Sequence, residues 1–256
     1  MSKIADAFKN GKAFIGFVTA GDPNLQVSEQ IMLNMAKAGC DLIEIGIPFS
    51  DPIAEGPVIQ EANLRSLSQG TTTDKVFELT KKVSTQVDIP LVYMTYLNVL
   101  FKYGYDRFLQ NAKDAGVSGV IIPDLPYEEK GEVQSVAKNY GIEVVSLIAP
   151  TSEQRIKMIA TEAEGFVYAV SSLGVTGTRS EIKTDLESIT QAIKEVTDTP
   201  VAIGFGINTP EQARKYSQIA DGVIVGSAIV KIIAQYGEDA PQHVYDYVKS
   251  MKDAIR

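Results

Sequence analysis

Eight short runs rich in Val, Ile and Leu recur along this chain, with helix-like stretches between them, and no other feature limits the possible folds as much. The runs are Ala13–Thr19, Asp41–Gly46, Pro90–Thr95, Gly119–Ile122, Glu143–Ile148, Gly165–Val170, Val201–Gly204 and Gly222–Val225. They are nearly continuous in apolar residues and do not alternate cleanly. Both faces of such strands must be covered, as in a parallel sheet flanked by helices. The intervening segments Val27–Ala38, Asp74–Thr85, Tyr105–Ala115, Glu128–Asn139, Glu153–Glu162, Asp185–Val196 and Pro210–Ile219 have amphipathic helical spacing. A weak internal repeat marks the joints. Ala38-Gly39-Cys40-Asp41, Ala115-Gly116-Val117-Ser118 and Ile219-Ala220-Asp221 each close a helix just before a strand begins.

Eight strand–helix units predict an α/β fold of the closed (β/α)8 TIM-barrel type, with an open eight-stranded sheet as the alternative. The barrel also explains why polar, glycine-rich loops follow the first, second, fourth, sixth, seventh and eighth runs, because it gathers them on one rim. The 256 residues suit one such barrel, which typically uses about 250, so residues 1–256 are expected to form a single domain. The amphipathic segment Met1–Lys12 predicts an extra N-terminal helix. Ala228–Ala234 predicts a short helix after the eighth strand.

The net charge of −8 argues against a nucleic-acid surface. No apolar run reaches the roughly 18 residues of a membrane span, and the N-terminus lacks a signal-peptide core, so a cytoplasmic location is expected. The one cysteine, Cys40, reads as a core filler, and the one histidine, His243, reads as a residue of a solvated helix face. With one of each, neither a His/Cys zinc site nor a Ser-His-Asp triad can be assembled. Acid–base chemistry must then rest on Asp, Glu, Lys or Tyr.

The segment Glu44–Pro57, EIGIPFSDPIAEGP, joins a buried strand end to a loop stiffened by Pro48, Pro52 and Pro57. Alternation along the strand puts Leu42, Glu44 and Gly46 on one face and Ile43, Ile45 and Ile47 on the other. With the aliphatic face against helices, Glu44 points into the barrel near its C-terminal rim, where desolvation raises a carboxyl pKa. The competing reading is a buried Glu paired with Lys or Arg. Glu55 and Asp51 are the acids of the loop. A second pattern suits an anion: Gly174-Val175-Thr176-Gly177 follows the sixth run, Gly204-Phe205-Gly206 the seventh, and Gly226-Ser227 the eighth. Such glycines let backbone N–H groups approach phosphate, and Gly226-Ser227 also opens a helix. Phe17, Tyr96 and Tyr168 can line an aromatic slot or belong to the barrel core. Asp124 is placed either to hold the rim or to cap the helix after it.

These motifs have a counterpart. GFVTAGDP (Gly16–Pro23), EIGIPFSDPIAEGP, PDLP (Pro123–Pro126), GVTG (Gly174–Gly177), GFGI (Gly204–Ile207) and VGSAIVKII (Val225–Ile233) closely resemble the tryptophan synthase α subunit family, in its order and over essentially the whole chain. The resemblance implies a (β/α)8 barrel that cleaves indole-3-glycerol phosphate to indole and glyceraldehyde 3-phosphate. It implies no metal and no organic cofactor in this chain, and a PLP-dependent β subunit as partner in an α2β2 heterotetramer. By the same resemblance Glu44 matches the catalytic glutamate and Glu55 the loop aspartate. Gly177, Gly206, Gly226 and Ser227 match phosphate binders, while Phe17, Tyr96, Tyr168 and Thr176 match positions around the substrate. The family's usual Asp is Glu at position 55, so that carboxylate reaches one methylene further. Two other readings remain at this stage. One is a different phosphate-binding barrel, which would need a Lys or Cys at a strand end. The other is a regulatory subunit with weak chemistry of its own.

Overall fold

Every apolar run forms a strand in the computed structural model, which describes residues 3–170, 185–204 and 206–256. In chain order the elements are α1 (Lys3–Asp6), β1 (Ala13–Thr19), α2 (Leu25–Lys37), β2 (Leu42–Gly46), α3 (Pro57–Ser68), α4 (Thr73–Ser84), β3 (Leu91–Met94), α5 (Leu97–Tyr103), α6 (Tyr105–Asp114) and β4 (Gly119–Ile121). They continue with α7 (Lys130–Tyr140), β5 (Glu143–Ile148), α8 (Glu153–Thr161), β6 (Val167–Val170), α9 (Leu186–Lys194), β7 (Val201–Gly204), α10 (Pro210–Ser217), β8 (Gly222–Val225), α11 (Ser227–Tyr236) and α12 (Ala240–Ala254). The strands pair in parallel in sequence order, and β1 closes the ring against β8. A closed barrel, not an open sheet, is therefore the architecture.

Helix starts follow local chemistry. Asn24, Thr72, Ser152, Asp185 and Thr209 each accept a hydrogen bond from a first-turn backbone N–H with their side chains. Thr209 and Gln212 form a reciprocal capping box at α10. Gly39 and Gly116 adopt positive φ (101° and 84°) where α2 and α6 give way to the next strands.

The core has two layers. Ile15, Leu42, Val92, Ile121, Val145 and Ile224 fill the barrel interior. Outward-facing residues such as Phe14, Ile43, Ile45 and Tyr93 pack under the helices. The expected N-terminal helix is one short turn, α1, and its Ile4 joins the interior cluster with Phe166. Two helices were not anticipated. α3 begins at Pro57, a residue that the sequence reading assigned to the end of a loop, and α5 follows β3 directly. The stretch expected as Glu128–Asn139 divides into a 3-10 turn, Tyr127–Glu129, and α7. Among the described residues no helix is long and apolar enough to cross a membrane.

Candidate active site

Glu44 lies on the inner face of β2, in register with Phe17 of β1 and Val92 of β3. It is 0% exposed. Among the described residues neither carboxylate oxygen meets a hydrogen-bond partner, and no Lys or Arg pairs with it. Among the described residues, then, the alternative of a buried ion pair finds no partner. Desolvation with nothing to offset it pushes the Glu44 carboxyl up to about 8 from an ordinary 4.5. Across the barrel stands Tyr168 of β6, whose hydroxyl is raised well above its usual value by burial and by the nearby Glu44 charge.

Glu55 sits just before α3, held from two sides. Asn63 Nδ2, two turns along α3, donates to its Oε2 at 2.6 Å. The Tyr96 hydroxyl also hydrogen-bonds the Glu55 carboxylate, and it accepts from Ala54 N at 3.1 Å. Burial nonetheless prevails and pushes the Glu55 carboxyl up to about 7, with Asn63 and Tyr96 opposing the rise. Asp51, the other loop acid, is exposed and takes a hydrogen bond from Ser50.

A cleft opens at the C-terminal rim. Phe17, Glu44, Glu55, Tyr168, Gly206, Gly226 and Ser227 all line it, so the fold brings together residues from five widely separated parts of the chain. Two glycines on inner-face positions make room for its aromatic walls. A Cβ at Gly46 would fall 2.6 Å from the Phe17 ring, and one at Gly204 would fall 2.5 Å from the Tyr168 ring. Ser227 is the first residue of α11, and no side chain caps that helix at Gly226. The first-turn N–H groups of that helix thus have no acceptor from the capping residue. Gly206 adds a left-handed backbone (φ 99°), in a loop braced by Asn208 Nδ2 donating to Gly206 O at 2.8 Å.

Tyr96 stands behind Glu55 instead of on the cleft wall, against Phe49 with ring centroids 5.4 Å apart. Thr176 and Gly177 lie outside the described residues. Of the two readings of Asp124, the rim-holding one fits: its Oδ1 accepts from Leu97 N at 2.9 Å, tying the loop after β4 to the start of α5, and it caps neither element that follows it. Cys40 is buried at the N-terminal end of β2, opposite the cleft, with its thiol pushed up to about 12 by burial. His243 is exposed and stacks on Tyr236 at 3.6 Å.

The sequence reading missed Asn63, Ile59, Met94, Ile207 and Ile224. A signal for Asn63 existed in the helical spacing of Ile59, Ala62, Asn63 and Ser66, the buried face of α3. Pro57 at the first helical position would have started that helix.

The fold and the cleft define a (β/α)8 barrel whose C-terminal rim holds a largely apolar cleft, with two carboxyl groups of raised pKa and the start of α11 in its walls. Residues 4–256 match the family model described as tryptophan synthase alpha chain, and the chain belongs to that family. The tryptophan synthase alpha chain of Lactiplantibacillus plantarum is 50% identical over 256 residues, covering 100% of this chain and 97% of the relative. That of Lacticaseibacillus casei is 48% identical over 255 residues, covering 100% and 96%. Among solved structures, tryptophan synthase subunit alpha from Legionella pneumophila superposes with a TM-score of 0.91 at 36% identity, covering 100% of this chain and 98% of that one. A chain of the tryptophan synthase α2β2 complex of Pyrococcus furiosus gives 0.88 at 36%, covering 95% and 99%.

Proposed function

We propose that this chain cleaves indole-3-glycerol phosphate to indole and glyceraldehyde 3-phosphate, with Glu44 as the proton donor. The observation that carries the reading is a fully buried, unpartnered carboxyl on the cleft floor, still protonated near neutral pH. In the proposed reaction Glu44 protonates C3 of the indole ring, giving an indoleninium cation. The Glu44 carboxylate then takes the proton of the side-chain hydroxyl adjacent to C3. The C3–C bond breaks, its electron pair restores the indole, and the hydroxyl-bearing carbon leaves as the aldehyde. Ionised Glu55 accepts a hydrogen bond from the ring N–H and offsets the positive charge that develops there, an interaction of a few kcal/mol in a dry site.

The phosphate is assigned to the start of α11, with Gly226, Ser227 and Gly206 around it. Backbone N–H groups and the helix dipole favour an anion at such a place. Anchoring this remote end fixes the ring over Glu44. Gly177 is assigned to the phosphate and Thr176 to the substrate pocket by resemblance. Phe17 and Tyr168 would hold the ring, and Tyr96 would act on it through Glu55. Glu44 supplies both proton transfers and Glu55 offsets the charge, so no cofactor is assigned to this chain. Among the described residues no Lys or Cys lines the cleft, which disfavours the other barrel chemistries.

The partner assigned is a PLP-dependent β subunit in an α2β2 complex, in the cytoplasm. Its docking is supported by Ile53 and Phe101, large apolar side chains 73% and 75% exposed on the loop after β2 and on α5, both beyond the C-terminal ends of strands. Indole release from indole-3-glycerol phosphate, measured with and without a cognate β subunit, tests the reading. Turnover by the wild type and its loss in Glu44→Gln are expected. Unchanged turnover in that variant would remove Glu44 from the mechanism. No turnover under either condition would favour the regulatory subunit.

A further inference from the structure

α3 borders the cleft. Glu55 lies two residues before it, Ile59 lines the cleft, and Asn63 grips the Glu55 carboxylate. Where this helix sits, and how it is turned about its axis, therefore decides where the Glu55 oxygens lie. Its apolar anchoring is slight, with Ile59 and Ala62 packed against Phe17 and Val230. The rest of its attachment is polar and concentrated on the loop after β1. Ser66 Oγ donates to Ala20 O at 2.6 Å. Arg65 donates from Nε and one terminal nitrogen to the two oxygens of Asp22, both at 2.8 Å. The Asp22 side chain is 0% exposed.

An ion pair with one partner buried and the other 31% exposed is a weak source of stability, because desolvating the carboxylate offsets much of the attraction. Burial indeed pushes the Asp22 carboxyl up despite Arg65. What a two-pronged Arg–carboxylate contact supplies is orientation, since two parallel bonds fix the guanidinium plane. Arg65 lies two residues beyond Asn63, so it projects to a different side of α3. Holding one side fixes the rotation of the other. A side-chain tip about 5–6 Å from a helix axis moves by about 1 Å for a rotation of about 10°. A misplacement of about 1 Å can cost about a hundredfold in rate.

We infer that Asp22 and Arg65 are positioning residues for the lyase reaction, locking the rotation of α3 so that Asn63 delivers the Glu55 carboxylate to the ring nitrogen of the substrate. The inference rests on the proposed role of Glu55. It also explains how the longer Glu is accommodated at position 55: the side chain is not left to find its own geometry but is clamped from a helix whose seat is fixed elsewhere.

The test is a double-mutant cycle on the full chain, using steady-state indole release and thermal melting of Arg65→Lys, Glu55→Gln and the double variant. Arg65→Lys keeps the charge and loses the fork. It should lower kcat about ten- to a hundredfold with KM little changed. On the Glu55→Gln background the same substitution should cost less than about twofold, because its target is already gone. An equal loss on both backgrounds, or a lower melting temperature with kcat intact, would overturn the inference and leave the pair a structural tie. If Glu55→Gln itself keeps full kcat, the role of Glu55 fails first and the inference falls with it, a result distinct from the additive one. Should Arg65→Lys not fold, Asp22→Asn enters the same cycle with the same expected and refuting outcomes.

Discussion

Glu44 should make this protein less stable as pH rises, and replacing it should remove its share of that dependence while abolishing activity. The carboxyl is shifted from 4.5 to about 8 by burial alone. Between those values the folded chain holds a proton that the unfolded chain releases, so stability falls with rising pH over this window and levels off above it. Below pH 4.5 the group is protonated in both states and has no effect. At 1.36 kcal/mol per pH unit, and allowing for partial titration at each end, the loss from pH 5 to 8.5 is about 4 kcal/mol. Glu44→Gln keeps the shape and cannot ionise. Any cost of burying its amide is independent of pH and drops out of the slope. Urea unfolding of both proteins from pH 5 to 8.5 should show the variant gaining about 4 kcal/mol on the wild type across the range. Its indole release should fall by about 10²–10⁴-fold, the usual contribution of a general acid. Parallel stability curves would refute the reasoning, because an exposed or paired carboxyl would carry no such strain.

The pH dependence of kcat/KM should be a narrow bell. Activity falls below about 7 as Glu55 becomes neutral and above about 8 as Glu44 loses its proton, and Glu55→Gln should remove the acid limb. Ser227→Asp, which puts a negative charge at the start of α11, should raise KM strongly and abolish competitive inhibition by glycerol phosphate. Equal KM in that variant would contradict the anion site. Phe101→Asp should weaken co-elution with a β subunit by about 2 kcal/mol or more and leave isolated indole release unchanged, and unaltered co-elution would place the interface elsewhere.

Much of this was legible because strands and loops advertise themselves locally. The eight runs became strands with ends displaced by at most two residues. Period-two alternation was enough to put Glu44 on the inner face. Gly226-Ser227 announced a helix start, and α11 begins there. α3 was missed because its buried face is half polar. Asn63 and Ser66 occupy positions where a periodicity count looks for aliphatic residues, and their partners, Glu55 and Ala20, lie outside the helix. Asp124 left a local cap and a hold on the rim both open for a related reason: its partner, Leu97 N, lies 27 positions earlier in the chain.

The order of the residues alone settled the strand–helix rhythm, the inward direction of Glu44 and the glycine joints, since each depends on neighbours within a few positions. Tertiary structure decided what those residues face. It left the Glu44 carboxyl without a partner among the described residues, gave Gly46 and Gly204 their purpose as gaps for Phe17 and Tyr168, and joined Asp22 to Arg65 across 43 positions. Desolvation and ion pairing depend on distances through space, and these are set only when the ring of strands closes.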